Sequence, residues 1–120
     1  MITQIKPFEI KKRCYQFSLS LIKFIEYVKY DRIYFSIFDQ LLRSGTSIGA
    51  NVVEGSAGST KKDVINFYHI ALKSANETKY WLCMVRDAVK CDMEQVKELI
   101  AEADELSKII ASCIIKMKTA

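Results

Sequence analysis

Residues Arg43 to Gly55 read RSGTSIGANVVEG, and this stretch decides how the chain folds. The pattern on both sides of it is helical. At 100° per residue, Arg43, Ser47, Asn51 and Glu54 drift only slightly around a helix axis, so they form one polar stripe. The stretch therefore predicts a helix with a polar edge.

A strip of small residues lies beside the polar stripe. Gly45, Gly49 and Ala50 line this strip, so another backbone could approach it closely. A glycine inside a helix costs about 1 kcal/mol relative to alanine, so close packing must offset the two glycines. We expect Gly55 to adopt the left-handed conformation that ends many helices.

Apolar residues at spacings of three and four indicate further helices on both sides of this stretch. The breaks between them are short, so successive helices should be antiparallel neighbours. Only four glycines and one proline occur in 120 residues, which suits long helices. The sequence predicts an all-α, up-down-up-down antiparallel four-helix bundle over residues 1–120, with helices at roughly 8–30, 32–55, 60–89 and 92–118.

The turn near residue 57 should fold the second and third helices against each other. Arg43 then falls within one turn of Ser74 and Glu77. We predict a structural polar network in which Arg43 pairs with Glu77 and with Glu54, and in which loss of one member costs about 3 to 5 kcal/mol. Its members are Arg43, Ser47, Asn51, Glu54, Ser74 and Glu77.

The same stretch, followed by FYHIALKSANETKYWL, resembles a bacterial four-helix bundle family that includes proteins encoded in intervening sequences of 23S ribosomal RNA genes. The chain has Gly49 where that family usually has proline. The family is related to the accessory variability determinant of diversity-generating retroelements, a pentameric bundle that binds a reverse transcriptase and RNA. The resemblance therefore implies a homopentamer. The matching residues are Arg43, Ser47, Ile48, Asn51, Glu54, Gly55, Phe67, Ala71, Ser74 and Glu77.

The formal charge of +4 is unevenly spread, because residues 1–90 hold the basic excess and residues 91–120 are slightly acidic. Such an excess permits contact with nucleic acid, and interleaved tyrosines could stack on bases. The alternative is that the lysines only keep the particle soluble and the tyrosines line subunit contacts. The candidate nucleic-acid-binding residues are Lys11, Lys12, Arg13, Lys23, Lys61, Lys62, Lys73 and Lys79, with Tyr15, Tyr27, Tyr30, Tyr68 and Tyr80.

Catalysis has little support in the residues. His69 is the one histidine, and no arginine precedes it at the spacing of the four-helix nucleases, which leaves a nuclease as the weaker alternative. The four cysteines have no C-x-x-C spacing, and di-iron Glu-x-x-His pairs are missing. We therefore expect no enzyme activity, no catalytic residue, no metal, no cofactor and no small-molecule substrate.

An interaction protein demands less of the sequence. Half the residues are apolar, which is more than the core of one bundle requires, so some apolar residues are left for a second surface. Aromatic anchors for a second surface would be Tyr27, Tyr30, Phe35, Tyr80, Trp81 and Met84. We predict a cytoplasmic homo-oligomer that acts as an accessory protein for RNA or a nucleic-acid-processing protein, away from membranes. The alternative is a protein–protein scaffold without nucleic-acid affinity.

Overall fold

The structure, a computed structural model, describes residues 7–119, with side chains from residue 9 onward. Four helices follow one another: α1 (Pro7–Tyr27), α2 (Phe35–Ser56), α3 (Lys61–Ala88) and α4 (Met93–Thr119). Each helix contacts its neighbours along the chain, and α1 also contacts α4, so the bundle is closed. The predicted all-α four-helix bundle is confirmed.

The connection between α1 and α2 is longer than predicted. α1 ends at Tyr27, and a 3₁₀ turn at Arg32–Tyr34 precedes α2. The Tyr30 ring stacks on Phe38 of α2, with centroids 3.9 Å apart and planes 17° apart. A chain that continued as helix could not turn back to make this contact, which explains why α1 stops early.

The core consists of the apolar seams that the sequence predicts. In α1 the seam residues Ile10, Cys14, Phe17, Leu21 and Phe24 are all buried. α4 contributes a similar seam of large residues, whereas α3 is narrow in its middle, where its buried residues are small. Within residues 7–119, no helix is long and apolar enough to cross a membrane.

Polar side chains mark where α3 and α4 begin. The Asp63 backbone N–H donates to the Thr60 hydroxyl at 3.1 Å. The Asp92 carboxylate accepts from the backbone N–H groups of Glu94 at 3.0 Å and Gln95 at 3.3 Å. These caps satisfy donors that have no partner inside the helix.

The two glycines inside α2 face α1. A Cβ at Gly45 would overlap the Leu21 side chain, and one at Gly49 would lie 3.1 Å from Cys14 Cβ and 3.6 Å from the Cys14 carbonyl carbon. The backbones of α1 and α2 therefore approach each other here more closely than side chains would allow. This contact is the packing that offsets the helical cost of glycine.

Gly55 does not have the conformation that we expected. No glycine among the described residues has a positive φ, and α2 continues through Gly55 to Ser56. A Cβ at Gly55 would lie 3.0 Å from Tyr68 Cδ1 and 3.1 Å from Phe67 Cβ. The prediction of a left-handed cap is wrong because this glycine serves close packing against α3.

Candidate nucleic-acid interface

Paired hydroxyls join α2 to α3 along their buried seam. The Thr78 and Ser44 hydroxyls hydrogen-bond each other at 3.0 Å, and Thr78 also donates to the Ser74 carbonyl oxygen at 2.7 Å. One turn away, the Ser74 hydroxyl donates to the Ser47 hydroxyl at 3.0 Å. Each hydrogen bond satisfies groups that would be costly to bury alone, and the short side chains keep the helices close.

Of the predicted polar network, the structure brings together Ser47, Asn51 and Ser74. The Asn51 amide donates to the Ser47 hydroxyl at 2.9 Å and to the Ser47 carbonyl oxygen at 2.8 Å. Ser44 and Thr78 complete the cluster, although the sequence reading did not include them. Their burial opposite each other follows only once the register of α2 against α3 is known.

The predicted charged part of the network is wrong. Arg43 Nε donates to Asp39 on its own helix at 3.1 Å, and the Arg43 side chain is 76% exposed. Glu77 is exposed and accepts from Trp81 Nε1 at 3.2 Å, while Glu54 is also exposed. Arg43 already has a carboxylate partner one turn away on the solvent-exposed side of α2. Burying its guanidinium beside Glu77 would remove the hydration of both charges and provide no partner that it lacks.

This placement reverses the expectation for Arg43→Ala. An exposed pair at this spacing on one helix contributes about 0.3 to 0.5 kcal/mol. We therefore expect the variant to melt within about 2 °C of the wild type, measured by circular dichroism. Thr78→Ala is the matched comparison and should lower the midpoint further, because it leaves Ser44 without its partner. A drop of about 10 °C or more for Arg43→Ala would contradict the exposed placement.

Two of the candidate nucleic-acid residues are held in ion pairs with α4. Arg13 donates to Glu102 from two nitrogens, at 2.7 and 2.9 Å, and this hydrogen bonding raises the pKa of Arg13. Lys79 Nζ lies 3.1 Å from Asp104. Hydrogen bonds from Lys79 and, to a smaller extent, from Lys108 hold the pKa of Asp104 below its usual range. These cations are already paired and are poorly suited to bind phosphate.

The remaining basic residues concentrate at one end of the bundle. The antiparallel topology brings together residues 7–14, 50–70 and 110–119, which we call the basic end. Apart from Arg13, which is paired with Glu102, it holds six basic and three acidic side chains, whereas residues 21–40 and 80–100 at the opposite end hold six basic and seven acidic ones. These six basic side chains are Lys11, Lys12, Lys61, Lys62, Lys116 and Lys118.

Sequence reasoning missed Lys116 and Lys118, since they belong to a segment that is acidic overall. The predicted topology could have indicated them, because it places the C-terminus of α4 beside the N-terminus of α1 and so brings their lysines together. Lys12, Lys62, Lys116 and Lys118 form no ion pair with any residue in the described range 9–119. By contrast, Lys23 lies toward the opposite end, and Lys73 lies midway along α3.

The candidate tyrosines divide by exposure. Tyr15, Tyr27 and Tyr80 are 65%, 83% and 57% exposed, so their rings are accessible to a partner. Tyr68 is buried, and Tyr30 is occupied by its stack on Phe38. Only Tyr15 among the accessible rings lies next to the basic end.

His69 is exposed on α3 and lies outside the polar cluster. The buried Cys14 thiol has its pKa raised to about 12, chiefly because burial disfavours the thiolate. Thiolate is the reactive form of cysteine, so the burial of Cys14 and its raised pKa both disfavour reaction there. Between residues 7 and 119, no three His, Cys, Asp or Glu side chains are grouped as metal ligands would be.

An apolar surface runs along the outer side of the α1–α2 pair, and we call it the α1–α2 face. Its exposed large residues are Tyr15, Leu19, Ile22, Leu42 and Val53. A shallow groove between Tyr15, Ala50 and Val53 follows the glycine contact. Of the aromatic anchors predicted for a second surface, Tyr30 and Phe35 line the adjoining hollow at the far end of this face, beside Leu42.

Comparison with known proteins relates the whole bundle to one group. The profile of the family described as 23S rRNA-intervening sequence protein matches residues 6–112. A crystal structure of a protein of unknown function from the S23 ribosomal protein family of Bacteroides thetaiotaomicron is similar, with a TM-score of 0.80 and 33% identity. The similarity covers 88% of this chain and 97% of that one. No curated protein matches the chain.

Proposed function

Because this chain belongs to the 23S rRNA-intervening sequence protein family, we propose that it is a non-enzymatic accessory protein that binds RNA through its basic end. The observation that carries the proposal is the charge asymmetry of the bundle. With the paired Arg13 left out, six basic side chains oppose three acidic ones at that end, although the opposite end is nearly balanced. A positive potential confined to one end attracts a polyanion and orients it.

The lysines of the basic end suit contact with phosphate groups. Lys12, Lys62 and Lys118 are exposed and have no acidic partner among the described side chains. They therefore keep their hydration and their mobility until a phosphate replaces water. Contacts of this kind bind the RNA backbone without reading bases.

Salt dependence tests the proposal directly. If about four lysines contact phosphates of a single-stranded RNA, the logarithm of the binding constant should fall with the logarithm of salt concentration at a slope of about −3. Fluorescence anisotropy with a labelled RNA of about 20 nucleotides would measure that slope. No binding at about 50 mM salt would contradict the proposal and favour the protein–protein scaffold instead.

Self-association through the α1–α2 face is the second part of the proposal. The family resemblance suggests five copies, and an apolar face that its own bundle leaves uncovered supports a contact between copies. A ring would also repeat the basic end several times, and repeated weak phosphate sites on one RNA raise the overall affinity. The four cysteines are free thiols, which suits the cytoplasm as the place of action.

Ile22→Glu tests the oligomer. Ile22 is 38% exposed on the α1–α2 face, so a carboxylate there should be tolerated in the isolated bundle but excluded from an apolar interface. We expect sedimentation velocity to show an oligomer for the wild type and a monomer for the variant. Ile70→Glu is the matched control, because Ile70 is 46% exposed on α3, away from that face. A wild-type monomer, or equal dissociation of both variants, would contradict the assignment.

A further inference from the structure

An open cavity of about 480 Å³ lies at the basic end, between the ends of all four helices. This volume falls within the range of about 300 to 1,000 Å³ that is usual for small-molecule sites. Its apolar walls come from Val64 and Tyr68 of α3 and from Cys113 and Met117 of α4. The RNA-binding proposal uses the lysines around this end and gives the cavity no role.

The shape of the cavity depends on Gly55. At this position α2 contributes no side chain, and the Tyr68 ring packs so closely that even a Cβ would lie 3.0 Å from it. Tyr68 is only 5% exposed, so the wall it forms is held by the core. The space is therefore built into the bundle, since larger residues on α3 and α4 surround it without filling it.

The charges around the cavity have one sign. Lys11 lines it from α1 and Lys116 lines it from α4, and no acidic side chain lines it within the described part of the chain. The Ser56 hydroxyl, also on the lining, donates to the Val52 carbonyl oxygen at 2.9 Å. The site therefore offers apolar surface and two ammonium groups, but few uncommitted donors or acceptors in its interior.

We propose that this cavity binds an alkyl carboxylate, with the chain among Val64, Cys113 and Met117 and the carboxylate between Lys11 and Lys116. A nucleobase suits the cavity less well, because its polar edges would be buried without partners. The proposal is independent of RNA binding and is tested without RNA.

A chain-length series with the wild-type protein provides the first test. Isothermal titration with hexanoate, octanoate and decanoate should show saturable binding that tightens about tenfold for each pair of added methylenes, as burial of alkyl surface requires. Decanol should bind more weakly than decanoate because it lacks the charge. The proposal fails if decanoate does not saturate, if chain length has no effect, or if adenosine monophosphate binds as tightly as decanoate.

Two lysine variants locate the carboxylate. Lys116→Gln should weaken decanoate binding about tenfold, because it removes one charged hydrogen bond. Lys118→Gln is the matched control, since Lys118 lies on the same last turn of α4 but does not line the cavity. Equal weakening by both variants would indicate a general charge effect and would overturn the site.

Thiol protection places the alkyl chain without any substitution. Decanoate should slow alkylation of Cys113 by iodoacetamide at about pH 8.5, near the ordinary thiol pKa, while Cys83 and Cys91 react as before. Peptide mass spectrometry measures all three in one sample. Burial raises the pKa of Cys113, which disfavours the reactive thiolate. Unprotected Cys113 at saturating decanoate would overturn the placement of the chain in the cavity.

Discussion

Reversing the charge of Lys12, Lys62 and Lys118 together should weaken RNA binding by about a hundredfold or more at moderate salt. Each residue lies on a different helix, and all three are exposed at the basic end. Glutamate at these positions removes three phosphate contacts and repels the RNA backbone. Because the side chains are exposed, we expect the melting midpoint to stay within a few degrees of the wild type.

A second triple variant separates a local site from net charge. Lys23, Lys29 and Lys90 are also exposed lysines, but they lie toward the opposite end. Their replacement by glutamate changes the total charge by the same amount, so a general attraction would suffer equally. We expect this control to lose less than about fivefold in affinity at the same salt. Equal losses would show that the basic end is not the site.

The fold was predictable because it depends on local periodicity. In α1 the apolar seam from Ile10 to Phe24 is buried as its spacing predicts, and Asp92 caps α4. Helix ends were less predictable. The Tyr30–Phe38 stack joins residues of two elements, and no local pattern near Tyr27 reveals it.

The polar cluster was only partly predictable, because residues on one polar stripe of a helix can point in directions that differ enough for one to be buried and another exposed. Arg43 and Ser47 share the stripe, yet Ser44, which lies 100° further round the helix than Arg43, takes the buried position opposite Thr78. A short hydroxyl fits that interior, whereas a long guanidinium at its margin extends into water and pairs with Asp39. The choice depends on the rotation of α2 against α3, which spacing alone does not specify.

The basic end could not be read from segment charge. Lys116 and Lys118 end a helix whose earlier half is acidic, so a running charge count hides them. Only the antiparallel order of four helices brings them beside Lys11 and Lys12. A topology predicted from the short connections between helices therefore brings these lysines together, even though the residue types alone do not mark them.

Gly49→Leu should lower the melting midpoint by about 10 °C or more, which is the largest effect on stability that we expect from one substitution. A Cβ at Gly49 already lies 3.1 Å from Cys14 Cβ, and the Cys14 carbonyl carbon and oxygen follow at 3.6 and 3.7 Å. A backbone cannot rotate away as a side chain can, so α1 must shift as a whole. Overpacking of this kind costs about 1 to 3 kcal/mol or more, which exceeds the helix propensity gained on losing glycine.

Ala50→Leu is the matched control for Gly49→Leu. Ala50 is the next residue along α2, but it is exposed on the α1–α2 face, so a leucine there meets solvent or the shallow groove. The helix propensity of leucine is close to that of alanine, and we expect the free energy of unfolding to change by less than about 0.5 kcal/mol. Thermal unfolding of both variants at low protein concentration compares the isolated bundles. If Gly49→Leu melts like the wild type, then α1 and α2 are not in close backbone contact, and the groove beside Ala50 loses its structural basis.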